Sequence, residues 1–280
     1  MLTPARTSPR LAQLALAALI FGIAITSLTA QEQVQASRTG GPPNARSIPA
    51  AYDVVSVKPH KSDATDRYSG WQYTPSGITG IGVSARSLIM TAYHLIMPDQ
   101  ISNLPSWVDT DNFDLEAKLD PDNAEALARM PDEEREVQRQ IMLRSLLADR
   151  FKLKASHSMK ELPVYSLVIA KGGPKLKGAS SQNAGYNVSM NALCTLKSDS
   201  IDISELAAAL SNFAGRLILD RTRLAGKYRV SLNWAFNEQV SDAGPSLVTA
   251  LQDQLGLKLE PAKAPVDVIV IDHLERPSEN

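Results

Sequence analysis

From Leu143 to Lys171 the pattern of apolar and polar positions shifts from a helical to a strand period. Leu143, Leu146 and Leu147 stand at helical spacing. Phe151–Ala155 and Leu162–Ala170 then read as two strands, with a tight turn expected between them. The same order returns from Leu247 to His273. At a constant offset Leu143, Leu147, Asp149, Phe151, Leu153 and Lys154 match Leu247, Leu251, Asp253, Leu255, Leu257 and Lys258. After a shorter turn, Pro163, Val164, Leu167, Val168 and Ile169 match Pro265, Val266, Ile269, Val270 and Ile271. Internal similarity of this length points to a duplicated supersecondary unit.

The remaining pattern extends each unit. Tyr52–Lys58 alternates, with Val55 and Val57 on one face, and Pro59 ends it. Trp71–Thr74 and Ile78–Val83 flank a Pro75–Ser76–Gly77 turn. Ser84 caps a helix whose Leu88, Ala92 and Leu95 share a face, and Pro98 stops it. Gln100–Asn103 is a short strand, and Phe113–Lys118 is half-exposed. A long helix begins at Pro131, with acidic residues 132–134 at its positive end and Val137, Ile141, Leu143, Leu146 and Leu147 on its apolar face. Later, Asp202 and Glu205 open a helix with Leu206, Leu210 and Phe213 in register, and Gly215 closes it. Leu217–Leu219 and Tyr228–Trp234 are strands.

The expected fold class is α+β: two tandem β-α-β-β-α-β-β units with helices packed on antiparallel or mixed sheets. The boundaries are a signal peptide and cleavage region over 1–36, a flexible tether over 37–50, a first unit over 51–172, a linker over 173–185, a second unit over 186–276 and a polar tail over 277–280. Sequence leaves open whether the units share a core. At one position the copies differ. Gly256, just past a helix, fits a left-handed backbone, and its counterpart is Lys152. Because Leu153 and Leu257 keep the same register, Lys152 is expected to take positive φ as well.

Composition adds an address. Arg6 and Arg10 precede an apolar run from Leu11 to Leu28, and small residues follow at Ala30 and Ala36, the pattern of a secretory signal peptide. A retained membrane anchor is the competing reading of that run. Export to the periplasm or medium is expected, with no membrane span after cleavage. Loss of residues 1–30 takes the 29 basic side chains to 27 against 30 acidic ones, a net charge of −3. No polybasic stripe is present, so nucleic acid is not an expected partner. The one cysteine, Cys194, leaves no internal disulfide to stabilise an exported chain.

Familiar catalytic patterns are absent. His60, His94, His157 and His273 stand singly, without HExxH or CxxC spacing, so neither a metal site nor a cofactor is expected. There is no GxSxG and no phosphate-binding glycine loop; Gly77, Gly80 and Gly82 have only loose spacing. No catalytic residue is assigned. Trp71 and Tyr73 alternate in the first unit and have no counterpart in the second, which points to a ligand groove. Trp107 is the third candidate ligand contact. A tryptophan beside a sheet is more often core, the reading given to Trp234 and the competing one for Trp107.

The blocks YDVVSVKPHK (52–61), ISNLPSWVDTDNFDLEAK (101–118), MLRSLLADRFKLK (142–154), ELPVYSLVIAKGGPKLK (161–177) and GRLILDRTRLAGKYRVSLNW (215–234), with the C-terminal ending from Val270, resemble a secreted family associated with soil bacteria. That family carries the domain of unknown function DUF3738. The resemblance covers nearly the whole mature chain and implies export and the two-part fold. It implies no catalytic residues. Some relatives look joined to a membrane metallopeptidase of the beta-lactam-sensor type, which implies a sensing or binding role. The expected function is therefore a non-catalytic binding or interaction domain with an extracytoplasmic ligand or protein as partner. Two alternatives stay open: a hydrolase of cell-wall or extracellular polymer using Asp109, Asp111 or Asp220, and a ligand-sensing ectodomain.

Overall fold

The computed structural model describes residues 50–61, 69–179, 185–190, 193–236 and 244–277 of the 280-residue chain. The expected signal peptide, most of the expected tether, part of the expected linker and most of the expected tail, with residues 62–68, 191–192 and 237–243, lie outside the described residues. The fold is α+β. In chain order its first elements are β1 (Val54–Pro59), β2 (Gly70–Thr74), β3 (Gly77–Ser84), α1 (Ala85–Ala92), β4 (Ile101–Ser102) and β5 (Asn112–Lys118). They are followed by α2 (Pro121–Ala128), α3 (Asp132–Arg150), β6 (Lys154–Ile169), β7 (Lys177–Gly178), β8 (Gly185–Met190) and β9 (Leu193–Ile201). The last are α4 (Ile203–Ala214), β10 (Ile218–Asp220), β11 (Tyr228–Ala235), α5 (Leu247–Ala250) with a π turn over Leu251–Leu255, and β12 (Leu257–His273).

The strands form three four-stranded sheets, ordered β1-β5-β3-β2, β10-β6-β12-β4 and β7-β11-β9-β8. The middle sheet is built on an antiparallel ribbon of β6 and β12, in register from Leu257 opposite Ile169 to Ile271 opposite Ala155. Each expected pair of short strands is thus one long strand, and the tight turn between them is absent. The misleading signals are Pro163, Pro261 and Pro265. They lie outside the stretches where β10 pairs with Tyr165–Leu167 and β4 pairs with Ile269 and Val270. There each strand has a single neighbour, so a residue without an N–H leaves no ladder partner unsatisfied.

The ribbon connects three apolar clusters. Ile269 and Ile271 join the cluster under α1 and α3, while Leu167, Leu257 and Leu259 join the one under α4 and α5. Between them Val164, Ala264, Val266 and Val268 form a third with Leu217. On β12 the first two groups are odd-numbered and the third even-numbered, so strand alternation sends them to opposite faces. Leu147 and Leu251, matched in sequence, are both fully buried.

Helix ends follow local chemistry, with some corrections. Ser84 and Asp202 cap α1 and α4, accepting from the N–H groups of Ser87 and Glu205. α1 stops at Ala92, short of Leu95, because His94 takes φ 52° and the Leu95 N–H turns back to the Met90 carbonyl at 2.8 Å. Pro131 caps α3 instead of opening it. On α3 the buried stripe is Met142, Leu143, Leu146 and Leu147; Val137, expected on the apolar face, is exposed, and it is Glu136 and Arg139 of that half of the helix that face β2. Lys152 (φ 52°) and Gly256 (φ 66°) are both left-handed, as the register requires.

Candidate functional site

β2 is an edge strand, and its alternation puts Trp71 and Tyr73 on one face while Gln72 points to solvent. Their rings meet edge to face with centroids 5.3 Å apart. Gly80 stands opposite Trp71 in β3, and a Cβ there would come within 3.2 Å of the Trp71 Cβ. From α3, the Arg139 guanidinium covers the Tyr73 ring at 4.1 Å. Tyr73 and Tyr52 have buried hydroxyls without a protein partner. Burial, reinforced by the Glu136 carboxylate, pushes the Tyr73 phenol up to about 12.

Between this aromatic edge and the helices lies a groove of 440 Å³. One wall is the polar stripe of α1 and its ends, Ser84, Ser87, Thr91 and His94, which recur at helical spacing. It lies beside the buried stripe of Leu88 and Ala92. Met90, Leu95 and Ile96 give the apolar part, and Trp71 and Glu136 the opposite rim. The segment after α1 is held in place, since the Gln100 Oε1 accepts from the N–H groups of Ile96 and Met97, each at 2.9 Å. Gln140 of α3 approaches His94 Nδ1 at 3.4 Å.

The charges of the groove are internally matched. Arg86 donates from Nε and Nη2 to the two carboxylate oxygens of Asp109, the latter at 2.7 Å. That hydrogen bonding holds the Asp109 carboxyl below its usual range and raises Arg86. Glu136 lies 3.8 Å from Arg139. Asp109 belongs to a 3-10 turn, Ser106–Asp109, that buries Trp107. Trp107 meets Phe113 edge to face and is covered by Arg276 at 5.3 Å. Of the three candidates Trp71 alone lines the groove; Tyr73 stands behind it in edge-to-face contact, and Trp107 stands apart. Asp111 accepts from Arg276 at 2.7 Å, which lowers its pKa. Asp109 and Asp111 are therefore held as carboxylates by separate arginines and are poorly set up to donate a proton.

Asp220 belongs elsewhere. It lines a second groove of 440 Å³ with Gln100, Ser204 and Asp267, and accepts from the backbone N–H and the hydroxyl of Thr222. Among the described residues no group of three or more His, Cys, Asp or Glu is placed to hold a metal ion. Sequence reasoning missed a paired histidine. His60 Nδ1 lies 2.8 Å from Asp114 Oδ1, which also accepts from the Gly82 N–H at 3.1 Å. Gly82 (φ 58°) sits in the register shift between Gly80 and Val83, so the loosely spaced glycines were signalling a bulge.

A family model described as a protein of unknown function (DUF3738) matches residues 86–274. The chain belongs to this family. The DUF3738 region contains most of α1, all of α3 and the lining of the second groove, and begins after Trp71, Tyr73 and Ser84. No curated protein matches the chain. No solved structure matches it. Among the described residues of this DUF3738 protein no helix is long and apolar enough to cross a membrane.

Proposed function

We propose that this DUF3738 protein is an exported, non-catalytic binding domain whose ligand lies in the groove between β2, α1 and α3. The observation that carries the reading is the position of Trp71. It is a large aromatic side chain, only half-buried, on the rim of a groove with an apolar floor and a row of hydroxyls. Preformed sites for small ligands combine an apolar lining with a few oriented polar groups, and span about 300–1,000 Å³. The acids considered for hydrolysis do not converge there: Asp109 is bound by Arg86, Asp111 by Arg276, and Asp220 lies in the second groove. The leader-like residues 1–36 support export.

The test is a fragment titration of isotopically labelled protein, read at the three tryptophan indole signals and assigned with Trp71→Phe. The fragments are short oligosaccharides, tetramethylammonium, acetate and an apolar hexapeptide. A saturable shift of the Trp71 indole, with Trp107 and Trp234 unmoved, is the expected result. Shifts confined to other regions, or none with any fragment, would overturn the assignment.

A further inference from the structure

We infer that the ligand of the Trp71 groove is an uncharged polyhydroxylated ring compound, an oligosaccharide, a conclusion that rests on the groove being the binding site. The charges make the first selection. Arg86 is engaged at both ends of a fork by Asp109, and Glu136 faces Arg139. An anion would have to compete with Asp109 for Arg86, and a cation would approach Glu136 in the field of Arg139. A neutral ligand disturbs neither pair.

The hydroxyl row makes the second selection. Ser84 Oγ accepts from the Ser87 N–H, and Thr91 Oγ1 donates to the Ser87 carbonyl at 2.9 Å. A hydroxyl has one hydrogen and two lone pairs, so Ser84 keeps a hydrogen to give and Thr91 keeps lone pairs to receive. A row that both donates and accepts suits a ligand whose own hydroxyls do the same. An apolar peptide side chain laid there would leave these groups without partners in a dehydrated contact, which is unfavourable. The third selection is shape. Trp71, in edge-to-face contact with Tyr73, contributes an aromatic surface to the lining, together with the apolar side chains of Met90, Leu95 and Ile96. The C–H face of a pyranose fits such a surface while its hydroxyl rim turns to the α1 stripe. None of the lining residues is fully buried, so the outer hydroxyls of a sugar remain in water.

The experiment is calorimetric titration of the full chain with cellotriose, chitotriose and maltotriose, repeated with tetramethylammonium and an apolar hexapeptide. It uses the wild type, Trp71→Ala and Thr91→Val. At least one trisaccharide should bind with an affinity that added salt leaves unchanged. Trp71→Ala should weaken that binding roughly tenfold, and Thr91→Val about three- to tenfold. Circular dichroism confirms that each variant is folded, and Thr91→Val serves as the test if Trp71→Ala is not. Binding of the ammonium ion or the peptide alone, lost in the same variants, would overturn the saccharide assignment and leave the groove standing. Saccharide binding unaffected in every folded variant would overturn the assignment to this groove. No binding by any probe would overturn both.

Discussion

Lys152 and Gly256 share a backbone conformation that suits only one of them. Both sit in the left-handed region past a helix end. For Gly256 the need is also steric, since a Cβ there would lie 2.1 Å from the Gly173 carbonyl oxygen. Lys152 is exposed and spends its side chain on the Asp149 carbonyl, donating from Nζ at 2.7 Å. Lys152→Gly should therefore raise stability by up to about 1 kcal/mol, less the loss of that exposed hydrogen bond. Gly256→Ala should lower it by about 1–3 kcal/mol. Urea denaturation midpoints of the two variants decide the matter. A destabilised Lys152→Gly, or a neutral Gly256→Ala, would refute the strain argument. This conformation was legible in the sequence because the register of Leu153 and Leu257 constrains it. The left-handed His94 was not, since the apolar spacing of Leu88, Ala92 and Leu95 runs on past it, and the terminating hydrogen bond from Leu95 to Met90 is made by backbone alone.

At the scale of elements, periodicity located most of the strands and the longer helices, missed β7 and β8, and failed on the lengths of β6 and β12. Ser156–Glu161 is mostly polar and Glu260–Pro265 carries two prolines, which in isolation means a turn. They stay extended because Ser156–Glu161 pairs with Pro265–Val270, and Glu260–Pro265 with Glu161–Ser166, along β6 and β12. A pairing partner a hundred residues away is tertiary information, and no local window contains it. The same ribbon makes the chain interdependent. β4 pairs with β12, and β10 with β6, so the sheet takes strands from before residue 172 and after residue 186 alternately. Cutting the chain in the linker would leave β6 and β12 each with unpaired edges and apolar faces uncovered. Fragments 37–179 and 180–280, expressed separately, should show no cooperative thermal transition, and mixing them should restore one. A cooperative transition in either fragment alone would show that the ribbon is not required.

For the molecule as a whole, residues 46–280 form one unit, and the groove is assembled from parts distant in sequence. Trp71 and Tyr73 were legible as candidates from their alternation and from the lack of a counterpart in the second half. The other wall was not. Ser87, Thr91 and His94 read as the solvent side of an ordinary amphipathic helix, and Glu136 as one acid among several. Only the packing of α1 beside α3 turns that polar stripe toward an aromatic edge. Trp107 shows the converse: it buries itself and contributes through its neighbour Asp109, which fixes Arg86 in the groove wall. The most direct measurement is a crystal structure of the protein grown with the probe that binds it most tightly. The ligand is predicted to lie against the Trp71 indole and within hydrogen-bond reach of the Ser87 or Thr91 hydroxyl. A ligand seated instead in the groove beside Asp220 and Asp267, with the Trp71 groove empty at saturation, would contradict the account.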